Sequence, residues 1–333
     1  MSSFPATLFF RLVKGGYTVV QKKMMDGTSV QDLIAKSNKK RSKKLIEKVI
    51  PIGLMLIASV SVLTTFGIIL TLVIETSIFF SKVPITDFLL GTEWFPFANT
   101  EQVFGILPLI AGTLKVACIA GIVAVPFGIG SAIFLSEYAS DRTRRIIKPI
   151  LEVLAGIPTI VYGFFALTFV TPLLQQLIPD LKIFNALSPG IVVGIMILPM
   201  IASLSEDAMS SVPKSIREGA LAMGSTKLEV SLRVVLPAAL SGIIASIVLA
   251  LSRAIGETMI VSLAGGSTPK FDWNVTESIQ TMTAYIVQVS SGDAGYGTTI
   301  YYSIYAVGFT LFLFTLFMNY LAHVISKKFR EEY

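Results

Sequence analysis

Six long apolar runs separated by shorter polar segments are the main pattern of this 333-residue chain. About 20 consecutive apolar residues are enough to cross the hydrocarbon core of a membrane as an α-helix. The first run extends over 26 residues without a charged side chain. The pattern therefore predicts an all-α, polytopic membrane protein with six transmembrane helices, at about residues 49–74, 116–136, 153–177, 188–204, 238–262 and 301–325.

The polar segment between the fourth and fifth runs predicts two short helices that lie outside the bilayer. This segment, residues 205–237, is called the insert below. Ser215 stands three residues before Glu218, and Thr226 stands three residues before Glu229. Both pairs have the spacing of a capping box, in which the two side chains hydrogen-bond the free backbone groups at a helix amino terminus. The insert is thus predicted to be a helix-turn-helix between two spans.

The first helix of the insert, which Gly224 is predicted to end, carries a narrow apolar stripe. Ile216, Ala220 and Met223 are spaced i, i+4 and i+7 and so lie on one face of the helix. A stripe of this kind fits a groove on another protein. The alternative is that the two helices lie flat on the lipid surface.

Composition agrees with the membrane class. The chain is 53% hydrophobic and 14% charged, whereas roughly a quarter of the residues in soluble domains are charged. One cysteine, Cys118, and one histidine, His323, do not supply the usual ligand sets of zinc, haem or iron–sulfur sites. A net charge of +6 would suggest nucleic acid in a soluble protein, but here its distribution matters more. No metal and no nucleic-acid partner is predicted.

The positive charges are distributed unevenly between the polar segments. Residues 1–48 hold 11 Lys and Arg and are predicted to form a basic cytoplasmic tail, with residues 49–333 as the transmembrane domain. In this orientation 22 Lys and Arg lie in the cytoplasm, and only Lys82, Lys182 and Lys270 lie in outer loops. The positive-inside rule therefore predicts that both termini and the insert are cytoplasmic.

Two charges within the fifth run are candidates for a substrate path. Arg253 and Glu257 are four residues apart, hence on one helix face, and Arg253 lies 16 residues beyond Pro237, or roughly 24 Å along a helix. Charges at this depth usually face a water-filled path or a partner. The planar fork of an arginine suits a tetrahedral oxyanion. An internal ion pair that only fixes the helix is the alternative.

Lys115, at the start of the second run, is a weaker candidate. Near a helix end, a lysine can extend its side chain to water and serve as an anchor. A role in attracting anions at the outer vestibule is the second interpretation.

The chain has no phosphate-binding GxxxxGK[ST] pattern, so it is predicted to be non-catalytic and to receive energy from another subunit. The insert then resembles the EAA loop of ABC importer permeases, with Glu218, Gly219, Ala220, three residues, Gly224, nine residues and the run VVLP to Pro237. Two positions depart from that motif: Gly219 replaces an alanine and Val234 replaces an isoleucine. The resemblance implies a coupling helix seated on an ATPase subunit, with ATP and Mg²⁺ bound there and no cofactor on this chain. The candidate coupling residues are Ile216, Glu218, Gly219, Ala220, Met223 and Gly224.

Four further motifs are similar to the C-type permease subunit of the phosphate-specific ABC importer: GTEWFP from Gly91, AIFLSEYAS from Ala132, LAGIPTIVYGFFAL from Leu154 and RAIGETM from Arg253. This resemblance implies a type I, MetI-like permease fold in the inner membrane of a prokaryote. It also implies a heterodimer with a homologous A-type permease, two ATPase subunits, a periplasmic phosphate-binding protein and phosphate as the substrate. Sulfate or molybdate is an alternative substrate, and a proton-coupled secondary transporter using Arg253 and Glu257 is an alternative mechanism.

Overall fold

The computed structural model describes residues 41–98 and 101–328, apart from the side chains of residues 41–49, 293 and 328. Most of the basic tail predicted at 1–48 therefore lies outside the described residues. The chain divides into two compact units after Ile69. In its described part the first unit is the start of a long helix, α1 (Arg41–Lys82). All the other described elements belong to the second unit, which begins at Leu70.

The predicted mainly helical membrane architecture is confirmed. Five helices of the described chain are long and apolar enough to cross a membrane. A sixth span results if the helical segments Lys227–Ala238 and Leu240–Ile255, which meet at a 72° bend, count as one. The elements after α1 are α2 (Ile85–Leu90), β1 (Trp94–Phe95), β2 (Val103–Phe104), α3 (Leu107–Ile133), α4 (Asp141–Gly156), α5 (Thr159–Phe165), α6 (Thr171–Leu177), α7 (Leu187–Ser210), α8 (Lys214–Ala222), α9 (Lys227–Val230), α10 (Leu236–Ala238), α11 (Leu240–Ile255), α12 (Met259–Ala264), α13 (Met282–Gln288) and α14 (Thr299–Lys328).

Single π-helical turns extend several of these helices. One such turn, Phe134–Tyr138, continues α3, and others link α5 to α6, join α9 to α10 and follow α13. The predicted second, fourth and sixth spans correspond to α3, α7 and α14. The fourth span is longer than predicted because α7 continues to Ser210. The polar insert therefore begins after Ser210 and not at residue 205.

The third span begins later than predicted, because the segment before it forms a separate helix. The segment after Ser140 folds as the amphipathic helix α4, whose amino terminus is capped by the Ser140 side chain accepting the Thr143 N–H at 3.2 Å. The helix ends at Gly156 and Ile157 is extended (φ −64°, ψ 130°), because the following Pro158 disfavours helical conformation in the residue before it. The predicted span over 153–177 is thus α5 and α6, and its first residues belong to α4.

The fifth span, predicted as a continuous helix over 238–262, is broken. Helix α11 ends at Ile255, and α12 starts again at Met259. Gly256 occupies the end of α11. Glycine lowers helical stability by about 1 kcal/mol relative to alanine, and here it coincides with the interruption.

The connection from α1 to α3 contains α2 and two short strands. Its two strands pair antiparallel, Trp94 opposite Phe104, and successive side chains in a strand point to opposite faces. Trp94 is consequently buried, its ring edge-on to Tyr285 with centroids 4.8 Å apart, while Phe95 is exposed. Trp94 and Phe104 therefore form part of an aromatic core.

Helices α3 and α7 pack closely through Gly190 and Gly194, which are four residues apart and so lie on one face of α7. A Cβ atom on Gly190 would come within 2.7 Å of Ile119, and one on Gly194 within 2.9 Å of Val123. These contacts are shorter than carbon atoms tolerate, so the two helix backbones approach at a distance that only glycine permits.

The insert contains both predicted helices, but only one of the two capping boxes. Helix α8 begins after Pro213, and Ser215 lies inside it without capping its end. The first box is wrong because Pro213, whose fixed φ favours a helix start, begins the helix earlier. The Thr226 and Glu229 box that starts α9 is present. Gly224 follows α8 with φ +90°, as predicted.

Candidate functional site

A cavity of about 560 Å³ lies among α4, α5, α7 and α11. Apolar side chains form most of its wall, and the polar contributions come chiefly from Arg253, Lys148, Glu152 and Ser203. Within the lining the two cations exceed the one carboxylate. The cavity is therefore a mainly apolar space whose wall contains two cations and one carboxylate.

Arg253 and Glu257 form the predicted ion pair, with Arg253 Nη1 2.7 Å from Glu257 Oε2. Their exposures differ sharply. The Arg253 side chain is 45% exposed and lines the cavity, whereas that of Glu257 is 2% exposed. Glu257 thus holds one side of the guanidinium from behind, while other N–H groups of Arg253 face the cavity.

Glu257 also closes the break in the fifth span. Its carboxylate accepts hydrogen bonds from the backbone N–H groups of Met259 (3.2 Å) and Ile260 (3.4 Å), at the start of α12. Its backbone oxygen accepts a hydrogen bond from Thr283 at 2.8 Å. A carboxylate is favoured at a helix amino terminus because free N–H groups point toward it. Glu257 therefore fixes both the backbone break and the arginine.

Arg253 lies deep in the bundle. Its Nη2 atom is 3.8 Å from the sulfur of Met196, the tenth residue of the 24-residue helix α7. Nine helical steps of 1.5 Å place this level about 13 Å from the nearer end of α7. Arg253 thus presents an exposed cation to the cavity at this level of α7.

A second charged cluster lies at the end of the cavity nearest the insert. Glu206 is 1% exposed, and its carboxylate binds both Arg144 and Lys148 of α4. Lys148 also lies 3.1 Å from Asp207. The sequence interpretation missed Glu206 because it ended the fourth span at Leu204. The continuing apolar periodicity through Met209 is the signal that would have extended it.

Lys115 is not an anchor reaching to water, and that interpretation is wrong. Its side chain is 1% exposed, with Nζ 2.7 Å from Asp272 and 3.4 Å from the backbone oxygen of Asn274. The reason is that α3 begins at Leu107, so Lys115 lies more than two turns inside the helix. Residues after α12 fold over it and supply the counter-charge.

The candidate coupling residues divide between two faces of the insert. Ile216 and Ala220 pack against a core of α7 and α9 to α11 that includes Met209 and Val235. Met223 is 87% exposed. Glu218, Gly219 and Gly224 are also exposed. Two residues of the predicted stripe, Ile216 and Ala220, thus hold α8 on its own chain. The other candidate coupling residues, Met223, Glu218, Gly219 and Gly224, remain accessible.

Hydrogen bonds from the backbone and side chain of Thr226 lower the pKa of Glu229. At the opposite end of the bundle, hydrogen bonds from Lys270 and Lys182 lower the pKa of Glu277 to about 2. Among the described residues, no group of three or more His, Cys, Asp or Glu side chains is placed to hold a metal ion.

The chain is similar to known transport proteins over most of its length. A family profile described as "Binding-protein-dependent transport system inner membrane component" matches residues 124–331. A probable ABC transporter permease protein, YqgH, of Bacillus subtilis is 35% identical over 71% of this chain and 77% of its own length. The phosphate transport system permease protein PstC of Xylella fastidiosa is 35% identical over 72% of this chain and 78% of its own length.

Solved structures support the fold. A bacterial alginate ABC transporter, crystallised with a periplasmic protein that binds an alginate pentasaccharide, aligns over 87% of this chain and 98% of its own, with a TM-score of 0.59 and 16% identity. The inward-facing MetNI methionine ABC transporter aligns over 68% of this chain and 98% of its own, with a TM-score of 0.52. At such low identity these matches establish the fold alone. With the family profile and the curated relatives, they show that the chain belongs to the family of binding-protein-dependent transport system inner membrane components.

Proposed function

We propose that this chain is a permease subunit of an ATP-driven importer that carries inorganic phosphate into the cytoplasm. The observation that carries the proposal is Arg253, an intramembrane arginine whose guanidinium is held by Glu257 on one side and open to a cavity on the other. The names of the PstC relatives support phosphate as the substrate.

The chemistry of Arg253 favours a tetrahedral oxyanion. Its guanidinium can give two parallel hydrogen bonds to neighbouring oxygens of phosphate. The Glu257 charge offsets part of the attraction, which lets the anion leave. Mainly apolar walls offer few other polar partners, so the substrate is not trapped along the way.

The direction of transport follows from the proposed orientation. The Lys and Arg distribution supports an insert in the cytoplasm, with both termini on that side. The Lys148 end of the cavity then faces the cytoplasm, and Lys115 lies toward the outside. In an alternating-access cycle, phosphate would reach Arg253 from outside and leave past Lys148.

Energy is proposed to enter through α8. Its exposed Met223, Glu218 and Gly219 would contact a groove on an ATPase subunit, which binds ATP and Mg²⁺. Ile216 and Ala220 would hold the helix on its own chain. The full complex is proposed to contain a homologous A-type permease, two ATPase subunits and a periplasmic phosphate-binding protein that docks on the outer segments.

The test is phosphate uptake by the complete complex in liposomes, with ATP inside the compartment that the ATPase faces. We expect Arg253→Gln to reduce uptake at least about tenfold, because it removes charge-assisted hydrogen bonds, and Arg253→Lys to restore part of it. Arg233→Gln, which removes an exposed arginine outside the cavity, is the matched control. Phosphate uptake at the wild-type rate in Arg253→Gln would contradict the proposal that Arg253 lies on the substrate path.

The same assay separates the alternatives. Sulfate or molybdate import is identified by competition with labelled phosphate in the presence of the cognate binding protein. A proton-coupled carrier would work without an ATPase and would respond to a pH gradient. The near-complete burial of Glu257 and its bonds to the α12 backbone favour a structural charge over one that exchanges protons with water.

A further inference from the structure

The guanidinium of Arg217 joins α8 to the ends of two spans. Arg217 Nε lies 3.2 Å from Glu137, in the π-helical turn that ends α3. Its Nη1 donates to the backbone oxygen of Val212 at 2.8 Å, and its Nη2 to that of Met209 at 2.6 Å. One side chain therefore connects three separate elements.

Two of these contacts are to backbone oxygens at the end of α7, where the Met209 oxygen also accepts from the Val212 N–H at 3.2 Å. The last carbonyls of a helix have no partner within it, and a basic side chain can bind them and interact favourably with the helix dipole. Arg217 does this for α7, which ends at Ser210. The Arg217 side chain is 18% exposed, and that of Glu137 is 12% exposed. A pair so far removed from water keeps a defined geometry better than a surface pair.

These contacts of Arg217 form a first joint between helices. A second joint, around Glu206, lies one turn back along α7. Ser210 donates to Glu206 at 3.0 Å and accepts from Arg144 of α4 at 2.6 Å. The buried Glu206 carboxylate binds both Arg144 and Lys148. Helix α4 contributes no fully buried side chain, so this ionic joint is a main attachment to α7.

The two joints act on the cavity that contains Arg253. Helix α4 contributes Lys148 and Glu152 to its lining, and α7 contributes the stretch around Met200 and Ser203. A displacement of α8 that moves the Arg217 guanidinium would pull the end of α7 with it, and Glu206 would carry α4 along.

We propose that Arg217 is the positioning residue through which movement of α8 reaches the walls of the Arg253 cavity, with Glu206 passing that movement to α4. This inference rests on the proposed function, in which α8 contacts an ATPase. Apolar packing of Ile216 and Ala220 also holds α8 on the chain. Hydrogen bonds add a fixed direction, because one guanidinium must keep its geometry to Glu137 and two backbone oxygens at once.

The experiment uses the complete complex in liposomes and measures phosphate imported per ATP hydrolysed. Arg217→Gln is expected to retain assembly with the ATPase and its hydrolysis, and to lower the phosphate-to-ATP ratio about tenfold, within the usual range of coupling between sites. Arg217→Lys keeps the charge but not the fork, so an intermediate ratio is expected. Arg142→Gln removes an exposed charge of α4 that belongs to neither joint and is expected to keep the wild-type ratio.

Glu137→Gln and the double variant Glu137→Gln with Arg217→Gln complete the test. The effects of substituting two residues of one joint should not add, so the phosphate-to-ATP ratio of the double variant is expected to be no lower than that of Arg217→Gln alone. If the complex that contains Arg217→Gln does not assemble, the phosphate-to-ATP ratios of Arg217→Lys and Glu137→Gln test the inference in its place. A wild-type phosphate-to-ATP ratio in the assembled Arg217 variants would overturn the inference. Failure of the wild-type complex to import phosphate at all would instead overturn the proposed function.

Discussion

Lys115 and Asp272 form an ion pair across 157 positions of sequence, with Lys115 Nζ 2.7 Å from Asp272 Oδ1. The two partners are unequally buried, since the Lys115 side chain is 1% exposed and that of Asp272 is 39% exposed. Asp272 can therefore be hydrated when the pair is absent, but Lys115 cannot without the bundle opening.

This inequality predicts unequal effects of removing each partner. Asp272→Ala leaves a buried cation without its counter-charge and is expected to cost about 3–5 kcal/mol. Lys115→Met leaves a carboxylate that water can reach, and is expected to cost about 1 kcal/mol or less. Denaturant unfolding in detergent measures both. Equal losses, or a larger loss for Lys115→Met, would contradict this account of the pair.

The counter-charge behind Arg253 is expected to control release of the substrate. Glu257→Gln keeps the size of the side chain and an oxygen for the α12 N–H groups, but it removes the negative charge from the guanidinium. The anion should then bind more strongly and leave more slowly, lowering the maximal uptake rate about tenfold. Radiolabelled phosphate retained by the detergent-solubilised complex after rapid gel filtration should rise. A faster rate, or unchanged retention, would contradict the balancing role of Glu257.

The contact between α3 and α7 predicts a pair of glycine variants with opposite effects. Gly194→Ala would place its Cβ 2.9 Å from Val123 and 3.0 Å from the backbone oxygen of Ala120, and such overpacking costs about 1–3 kcal/mol. Gly130→Ala, also within a span helix, has nothing within 4 Å of the added Cβ. It is expected to be neutral or to stabilise by up to about 1 kcal/mol. The free energies of unfolding of the two variants in detergent test the comparison.

Acid is expected to loosen the segment after α12 only at low pH. Lys270 and Lys182 hold the pKa of Glu277 at about 2, below its ordinary value of 4.5. Because the folded pKa is lowered, this contribution to stability is complete above pH 4.5 and is lost as the pH falls toward 2. The anisotropy of the exposed Trp273 should therefore stay constant from pH 7 to pH 4.5 and fall below that.

Glu277→Gln supplies the control for this titration. It removes the titrating group, so Trp273 should already be more mobile at pH 7, and the acid step between pH 4.5 and 2 should be smaller. An identical titration in the variant would assign the step to another group.

The sequence by itself determined the features that depend on neighbouring residues. Apolar run length placed the spans, because the hydrocarbon thickness sets how many residues must be apolar. The spacing of Arg253 and Glu257 predicted their pairing, and the capping box at Thr226 and the turn at Gly224 were readable because both depend on residues a few positions apart. The family was recognisable for the same reason, since its motifs are local.

Only the tertiary structure decided which charges are buried and what they bind. Nothing near Lys115 in the sequence points to Asp272, and nothing near Arg217 points to Glu137. Glu206 looked like part of a polar loop until the packing of α4 on α7 enclosed it. Such pairs form when distant segments are brought together, and the cost of leaving a charge alone in an apolar interior then selects the partner. Local sequence periodicity does not indicate which distant residues will pair, so the joints around the cavity could be found only from the fold.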